Sequence, residues 1–275
     1  MAKSILVTGC STGIGYTCAH ALHKAGYQVI ASCRHFDDVK RLQNEGLTCI
    51  QLDLSDTNSI EHAVEKALEI TGGRLDALFN NGAYGQPGAL EDLPTQALRE
   101  QFETNFFGWH HLVKQVLPIM RKQGNGRIIQ NSSVLGFAAM PYRGAYNSSK
   151  FALEGWSDTL RLELADTNIK ISLIEPGPIE TQFRKNAQKA FEKWIGINSS
   201  VHHEYYKKRI KELGNETSSS TFALPPESCI RPLFHALEAR KPKVRYRITT
   251  PTKAFALLKR VLSSRLLDKL LVRVS

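Results

Sequence analysis

Tyr146 and Lys150 stand four residues apart in a stretch with helical patterning, Ala145 to Leu164, so both side chains face the same way. An ammonium beside a phenol favours the phenolate. Bringing a tyrosine down by roughly 3 units from about 10 costs around 4 kcal/mol, within reach of one nearby charge in a dry site. Such a pair can pass a proton to or from a substrate oxygen. Ser133, just past the apolar run Arg127 to Asn131, adds a hydroxyl able to donate to an oxygen that gains negative charge. Each feature alone has an ordinary reading: with eight tyrosines, a Tyr-x-x-x-Lys arises readily on a solvated helix face, and Ser132-Ser133 also reads as a turn.

A second chemistry sits at the N-terminus. Thr8-Gly9-Cys10-Ser11-Thr12-Gly13-Ile14-Gly15 follows the first apolar run directly and opens a helical pattern. Glycines there allow a tight turn and close backbone approach, and a helix N-terminus offers unpaired N–H groups and partial positive charge to a pyrophosphate. The spacing is T-G-x-x-x-G-x-G rather than the commoner G-x-G-x-x-G, and a glycine cluster can also be a tight connection with no ligand. Dinucleotide choice turns on a position about 20 residues further on, where an acid holds a ribose 2′-OH and a base receives a 2′-phosphate. Cys33-Arg34-His35 occupies it. Arg34 can fork onto a phosphate, which favours NADP(H) over NAD(H), with Asp37 or Asp38 left as alternative holders of a ribose. Asp53 and Leu54 after the third apolar run, and Asn81-Gly82-Ala83 after the fourth, are expected at the same carboxyl edge, where open α/β sheets bind ligands.

The elements that must position these groups are legible as periodicity. Residues 3–8, 28–32, 48–52, 77–80, 127–131 and 170–174 are short apolar, β-branched runs, each separated by a helix-length segment. Alternation of this kind predicts an α/β fold, a doubly wound parallel β-sheet flanked by helices. One helix can be checked residue by residue: Asp56 reads as its N-cap, Ile60, Ala63, Val64, Ala67 and Leu68 form one apolar stripe, and Gly72-Gly73 ends it. The segment of about 183–225 breaks the alternation with lysine-rich runs, Trp194, Tyr205-Tyr206 and a polar Glu-Thr-Ser-Ser-Ser-Thr stretch, and reads as a lid. Residues 1–250 are therefore expected as one domain, followed by a tail over 251–275.

A chain of 275 residues, 42% apolar and 23% charged, can bury a large core, which excludes disordered, collagen-like and disulfide-scaffold classes. Five cysteines at 10, 18, 33, 49 and 229 show neither a C-x-x-C spacing nor a zinc pattern with histidine, so no metal is expected and a reducing compartment fits. His110-His111 and His202-His203 have no carboxylate or thiol at ligand spacing and read as surface histidines. No apolar run approaches the roughly 18 residues of a membrane span, and the apolar run at the N-terminus is too short for a secretory leader. The expected location is the cytoplasm. Net charge is +10, and all of it falls in residues 231–275, which carry 12 Lys or Arg against Glu238 and Asp268. From Thr252 onward Phe255, Leu258, Leu262, Leu266, Leu267, Leu270, Leu271 and Val274 interleave with Lys259, Arg260, Arg265, Lys269 and Arg273. This basic amphipathic helix could lie on the inner face of an anionic membrane, or could cover the fold's own edge or a subunit interface. It has no aromatic platform or reading motif for nucleic acid.

Taken together, Thr8 to Gly15, Asn80-Asn81-Gly82-Ala83, Asn105, Ser133, Tyr146-Asn-Ser-Ser-Lys150 and Pro176-Gly-Pro-Ile-Glu-Thr181 resemble the short-chain dehydrogenase/reductase family over nearly all of residues 3–250. The stretch after Tyr146 is most similar to the branch with retinol dehydrogenases, 17β-hydroxysteroid dehydrogenases and bacterial NADP-dependent aldehyde reductases. The resemblance implies a Rossmann-type fold and a homo-oligomer. It implies Tyr146 as general acid/base, Lys150 as the cation lowering its pKa and bonding the nicotinamide ribose, Ser133 orienting the carbonyl, and Asn105 holding a relay water. Pro176, Gly177, Ile179 and Thr181 would meet the nicotinamide end. One departure is the order Gly82-Ala83, where the family has Ala-Gly.

Between Ser133 and Tyr146, Leu135, Phe137, Met140 and Tyr142 suggest an apolar substrate cleft, while core packing is the other reading. The expectation is an NADP-dependent reductase of a lipophilic carbonyl: an aliphatic aldehyde, retinaldehyde or similar. The alternatives are a steroid or other ketone reductase and a catalytically silent dinucleotide sensor. Cys10, inside the phosphate turn, is either a small filler or a site of thiol sensitivity.

Overall fold

The computed structural model describes residues 2–214 and 222–273. The polar stretch 216–221 and Val274, both singled out above, lie outside the described residues. Strands β1 (Ser4–Val7), β2 (Gln28–Cys33), β3 (Thr48–Gln51), β4 (Ala77–Asn80), β5 (Gly126–Asn131), β6 (Ile169–Glu175) and β7 (Arg245–Arg247) form one parallel sheet in the order β3-β2-β1-β4-β5-β6-β7. Six of these coincide with the predicted runs to within a residue or two. The seventh was not anticipated: Arg-Tyr-Arg carries no strand signature, and its guanidinium groups find partners only in the folded chain.

Period-two alternation divides the core between the two faces. Ile5 and Val7 of β1, with Ala77 and Phe79 of β4, pack on one side with α1 (Gly13–Lys24), α2 (Phe36–Asn44) and α9 (Ile230–Glu238). Leu6 and Leu78 point to the other side, with α3 (Thr57–Thr71), α5 (Gly108–Gln123) and α6 (Gly144–Glu163). In α3 the Asp56 carboxylate caps the N–H groups of Asn58 and Ser59, and Gly72 ends the helix at a left-handed φ of 65°.

Between α4 (Thr95–Phe102) and α5 one turn, Glu103–Phe107, widens to a π-helix, and Asn105 lies in it. The segment read as a lid lies off the sheet as α7 (Phe183–Trp194) and α8 (His203–Gly214), joined by an aromatic cluster. The tail, read as one helix, is two: α10 (Thr250–Val261) and α11 (Ser264–Arg273). The break falls at Leu262, in extended conformation, and at Ser263, whose carbonyl accepts the N–H groups of Leu266 and Leu267. Serines at that point compete locally for backbone bonds and favour a restart over continuation. No helix among the described residues is long and apolar enough to cross a membrane.

Candidate active site

The turn from β1 into α1 closes on the end of β4. The Thr8 hydroxyl accepts from the backbone N–H of Asn81 and of Gly82, each at 2.9 Å. Asn81 Nδ2 donates to the carbonyls of Thr8 and Gly9 at 3.0 and 3.2 Å, and Asn131 Nδ2 donates to Asn81 Oδ1 at 2.9 Å. A Cβ on Gly9 would lie 2.5 Å from Gly82 Cα, and one on Gly15 2.3 Å from the Gly9 carbonyl, so these approaches exclude a side chain. The space at Gly82 is tight but not closed. A methyl on Gly82 would stand 3.1 Å from Leu54 Cδ1, whereas Ala83 packs against the core on the α3 and α5 side.

The Thr12 side chain makes no capping bond at the start of α1, and the first turn holds no acid, so its N–H groups remain available to an anion. Thr181 arches over this turn: a Cβ on Gly13 would lie 2.9 Å from Thr181 Cγ2. Both side-chain polar atoms of Asn80, fully buried at the end of β4, have no protein partner. Unpaired donors at a helix N-terminus, the Gly13 notch and the unpartnered Asn80 fit a pyrophosphate-bearing dinucleotide. The neighbouring predicted residues also brace the backbone here. The Pro176 carbonyl accepts Val134 N–H at 2.8 Å, Gly177 leaves room for Thr249, Ile179 bridges Leu224, and Asp53 Oδ1 accepts from the N–H and hydroxyl of Ser55.

Arg34 is exposed at the end of β2, its Nε 3.3 Å from His35 Nε2. A second guanidinium, which the sequence reading passed over, reaches the phosphate turn: Arg41 Nη2 donates to the Ser11 carbonyl at 2.6 Å while Asp38 and Glu45 hold it at 3.1 and 2.9 Å. Asp38, weighed above as a ribose holder, is thus committed to Arg41. Nothing in the linear pattern marks Arg41, because a charged residue on α2 reads as solvated face.

Tyr146 and Lys150 lie one turn apart on α6, beside the Ser133 turn after β5. Burial pushes the Tyr146 phenol up to about 12, against the Ser133 hydroxyl and the Arg143 charge, which both pull it down. Burial pushes Lys150 down to about 7, against the carboxylate of Glu154. Its Nζ donates to the Asn131 carbonyl at 2.7 Å and lies 4.3 Å from the centre of the Trp109 ring. Without a dinucleotide, then, the phenol is protonated at neutral pH and burial outweighs the depression expected from the lysine. Asn105 turns its side chain to the backbone of Tyr84, accepting from its N–H at 3.2 Å and donating to its carbonyl at 2.8 Å.

An open cleft of about 450 Å³ begins at Gly144 and Asn147, next to Tyr146, and runs between Ala89, Leu90, Met140, Tyr142, Leu271 and Val272. Two of the predicted substrate residues, Met140 and Tyr142, line it. Leu135 and Phe137 instead pack beneath the tail with Phe255, Leu267 and Leu271, and Lys259 Nζ donates to the Phe137 carbonyl at 2.6 Å. Tyr142 has a left-handed φ of 60° and stacks on Tyr205 of the lid at 3.8 Å. Phe183, at the start of α7, meets the Tyr146 ring edge-on at 5.4 Å. Leu90, Phe183, Leu271 and Val272 were not assigned to this site from the sequence, because only tertiary packing brings these distant segments toward Tyr146.

Cys10 is fully buried and donates its thiol proton to the Val7 carbonyl, and burial pushes the thiol up, so it is an inert filler. The histidine pairs acquire acids through tertiary contact: His202 meets Glu91 at 2.6 Å and His111 meets Glu61 at 3.3 Å. No cluster that could hold a metal exists among the described residues.

Comparison with known proteins places these features in context. Residues 3–192 match the family profile described as short chain dehydrogenase. An uncharacterized oxidoreductase of Escherichia coli strain K12, YbbO, is 41% identical over 98% of this chain and 94% of its own length. Human retinol dehydrogenase 8 is 32% identical over 95% of this chain and 86% of its own. Among solved structures, a variant of the actinorhodin polyketide ketoreductase with NADPH superposes with a TM-score of 0.73 at 25% identity, covering 90% of this chain and 95% of the ketoreductase.

Proposed function

The chain belongs to the short-chain dehydrogenase family, and from that premise we propose that it is an NADP-dependent oxidoreductase acting on the carbonyl or alcohol carbon of a lipophilic substrate. The observation that carries this reading is the convergence of Tyr146, Lys150 and Ser133 at the carboxyl edge of the sheet, beside a helix N-terminus open to a pyrophosphate.

The nicotinamide dinucleotide, when bound, supplies or accepts the hydride. Residues around Gly9 to Gly15 hold its pyrophosphate, with Arg34 and Arg41 set for a 2′-phosphate and Thr181 facing the nicotinamide end. Tyr146 Oη, kept protonated by burial, gives its proton to the oxygen of a carbonyl undergoing reduction, and in the reverse direction accepts it. Ser133 Oγ donates to that oxygen and fixes its orientation. Lys150, one turn from Tyr146 on α6, would when protonated favour the phenolate Tyr146 leaves behind. The open, largely apolar cleft from Met140 to Val272, with Asp268 on its rim, suits a hydrocarbon body, in keeping with an aliphatic aldehyde or retinaldehyde; a steroid ketone is the second choice.

The outer face of α10 and α11 leaves Leu257, Val261, Leu266 and Val272 exposed among Lys253, Arg260, Arg265, Lys269 and Arg273. It supports peripheral contact with an anionic membrane from the cytoplasmic side, the inner face of the tail being packed on the fold. Apolar Phe107, Phe151 and Leu162, exposed on α6 and the π turn, support a homo-oligomer. Consumption of NADPH by the purified protein over medium-chain aldehydes, retinaldehyde and steroid ketones tests the activity, with NADH and a Tyr146→Phe variant in parallel. Turnover that needs NADPH and falls at least ~100-fold in the variant is expected. Binding of NADPH without turnover of any carbonyl would replace this reading with a dinucleotide sensor.

A further inference from the structure

Beneath the reacting face lies a buried cluster of charge that the reaction itself does not require. Glu175, fully buried at the end of β6, meets Arg245 and Arg247 of β7 at 3.1 Å each. Arg245 continues to Glu154 at 3.0 Å and to Asp158 at 2.7 Å, both on α6. Each acid is joined to a segment that carries the candidate chemistry. Glu154 stands one turn beyond Lys150 and two beyond Tyr146, on the same face of α6. Its Oε1 and the Ser132 hydroxyl both lie within 3.2 Å of the point where a Cβ on Gly136 would stand, so the turn carrying Ser133 is pressed directly onto this carboxylate. Glu175 precedes Pro176, whose carbonyl holds Val134 N–H of that same turn.

We propose that Glu154, Arg245 and Glu175 form one positioning unit that fixes the Ser133 turn, the Tyr146–Lys150 face and the Pro176 turn relative to one another, with the Glu154 carboxylate held one helical turn from the Lys150 ammonium. The proposal rests on the oxidoreductase reading for its kinetic consequence but not for its electrostatic one. Buried ion networks contribute little net stability compared with apolar packing, because desolvation offsets attraction; what they fix is one arrangement. A planar guanidinium hydrogen-bonded to Glu154 and Asp158 and in ion contact with Glu175 allows little freedom to the two elements that carry these acids. Lys150 is faced by Tyr146 and Glu154 from α6, by the Trp109 ring from α5 and by the Asn131 carbonyl from β5, and among these Glu154 is the carboxyl that opposes the effect of burial on the lysine. Asp158, Arg245, Glu175 and Arg247 lie behind it.

The test compares wild type with Glu154→Gln, Arg245→Lys and the double variant Glu154→Gln/Arg245→Met, all in full-length protein. Lys150 is followed by its 13Cε resonance during pH titration without dinucleotide, assigned with Lys150→Arg. This readout needs neither turnover nor cofactor. The expected result is a Lys150 midpoint at least half a pH unit lower in Glu154→Gln, with kcat down at least tenfold while KM and the Kd for NADPH stay within threefold. Arg245→Lys should keep the midpoint and recover part of kcat. The double variant, which removes both partners, guards against a single variant that fails to fold. A folded Glu154→Gln with the wild-type midpoint would overturn the proposal, as would a loss of kcat that tracks only a loss of thermal stability. Wild-type protein that binds NADPH but turns over no carbonyl, with the midpoint shift intact, would sink the oxidoreductase reading alone.

Discussion

At the scale of single residues, burial rather than pairing sets the protonation of the two central side chains. Tyr146 is held near about 12 and Lys150 near about 7, the reverse of a phenolate stabilised by a standing ammonium. A proton-donating phenol suits carbonyl reduction, since the alkoxide that develops needs an acid at neutral pH. The proposed preference for NADP(H) also rests on single residues, and Arg41 is the candidate added by the fold. Its guanidinium sits on the Ser11 carbonyl of the phosphate turn, anchored by Asp38 and Glu45. Replacing it by alanine should raise the Kd for NADPH about tenfold, the loss of one charge-assisted contact, and leave the Kd for NADH within twofold. Quenching of intrinsic fluorescence on titration with each dinucleotide measures both. Equal losses for the two would assign Arg41 to bracing the turn instead.

At the scale of elements, the tail is the feature with the largest consequence. Leu271 of α11 is buried against Leu135 and Phe137, and the same residue, with Val272, lines the cleft beside Tyr146. One helix therefore covers the core on its inner side and completes a wall of the cleft proposed to take substrate. Truncation after Val261, which removes α11, should raise KM for a long-chain aldehyde at least fivefold and alter that for a short, water-miscible aldehyde less than twofold. It should also lower stability by about 2 kcal/mol, the loss of a buried leucine, read from thermal unfolding. An equal rise in KM for both aldehydes would remove α11 from the cleft. The lid acts on the other side, where Tyr142 is held in its left-handed conformation by the stacked ring of Tyr205.

At the scale of the whole molecule, charges buried in the site make stability depend on pH. Lys150 titrates near about 7 in the folded chain and near its ordinary value of 10.5 when unfolded. A depressed lysine contributes stability that is present above the unfolded value and lost as pH falls toward the folded one. Without dinucleotide, this group should therefore make the protein more stable as pH rises from 7 to 8.5, with a slope of at most ~1.4 kcal/mol per pH unit. Glu175 works on the acid side. Burial and Glu154 raise it to about 7, so its contribution, complete below about 4.5, is lost as pH rises from there to 7. Denaturant unfolding across pH 5 to 8.5 in wild type and Lys150→Met checks the first point. The variant should lose the rise above pH 7, and an unchanged slope would mean that Lys150 is charged throughout.

The doubly wound sheet, its six principal strands, the phosphate turn and the Ser133, Tyr146 and Lys150 positions were all legible in the chain. Each is a local pattern: period-two alternation of buried side chains, glycine where the backbone must pass closely, and helical spacing of four. The sequence by itself thus determined the architecture and the places of the candidate site residues. Tertiary structure alone decided what no local pattern encodes. It paired the charged strand Arg245–Arg247 with acids on α6 and β6, brought Arg41 to the Ser11 carbonyl, committed the Asn105 side chain to Tyr84, and folded α11 over the cleft. The physical reason is the same in each case. These contacts join residues 21 to 136 positions apart, and a charge or leucine that reads as solvent-facing along one helix becomes buried only when a distant element packs against it.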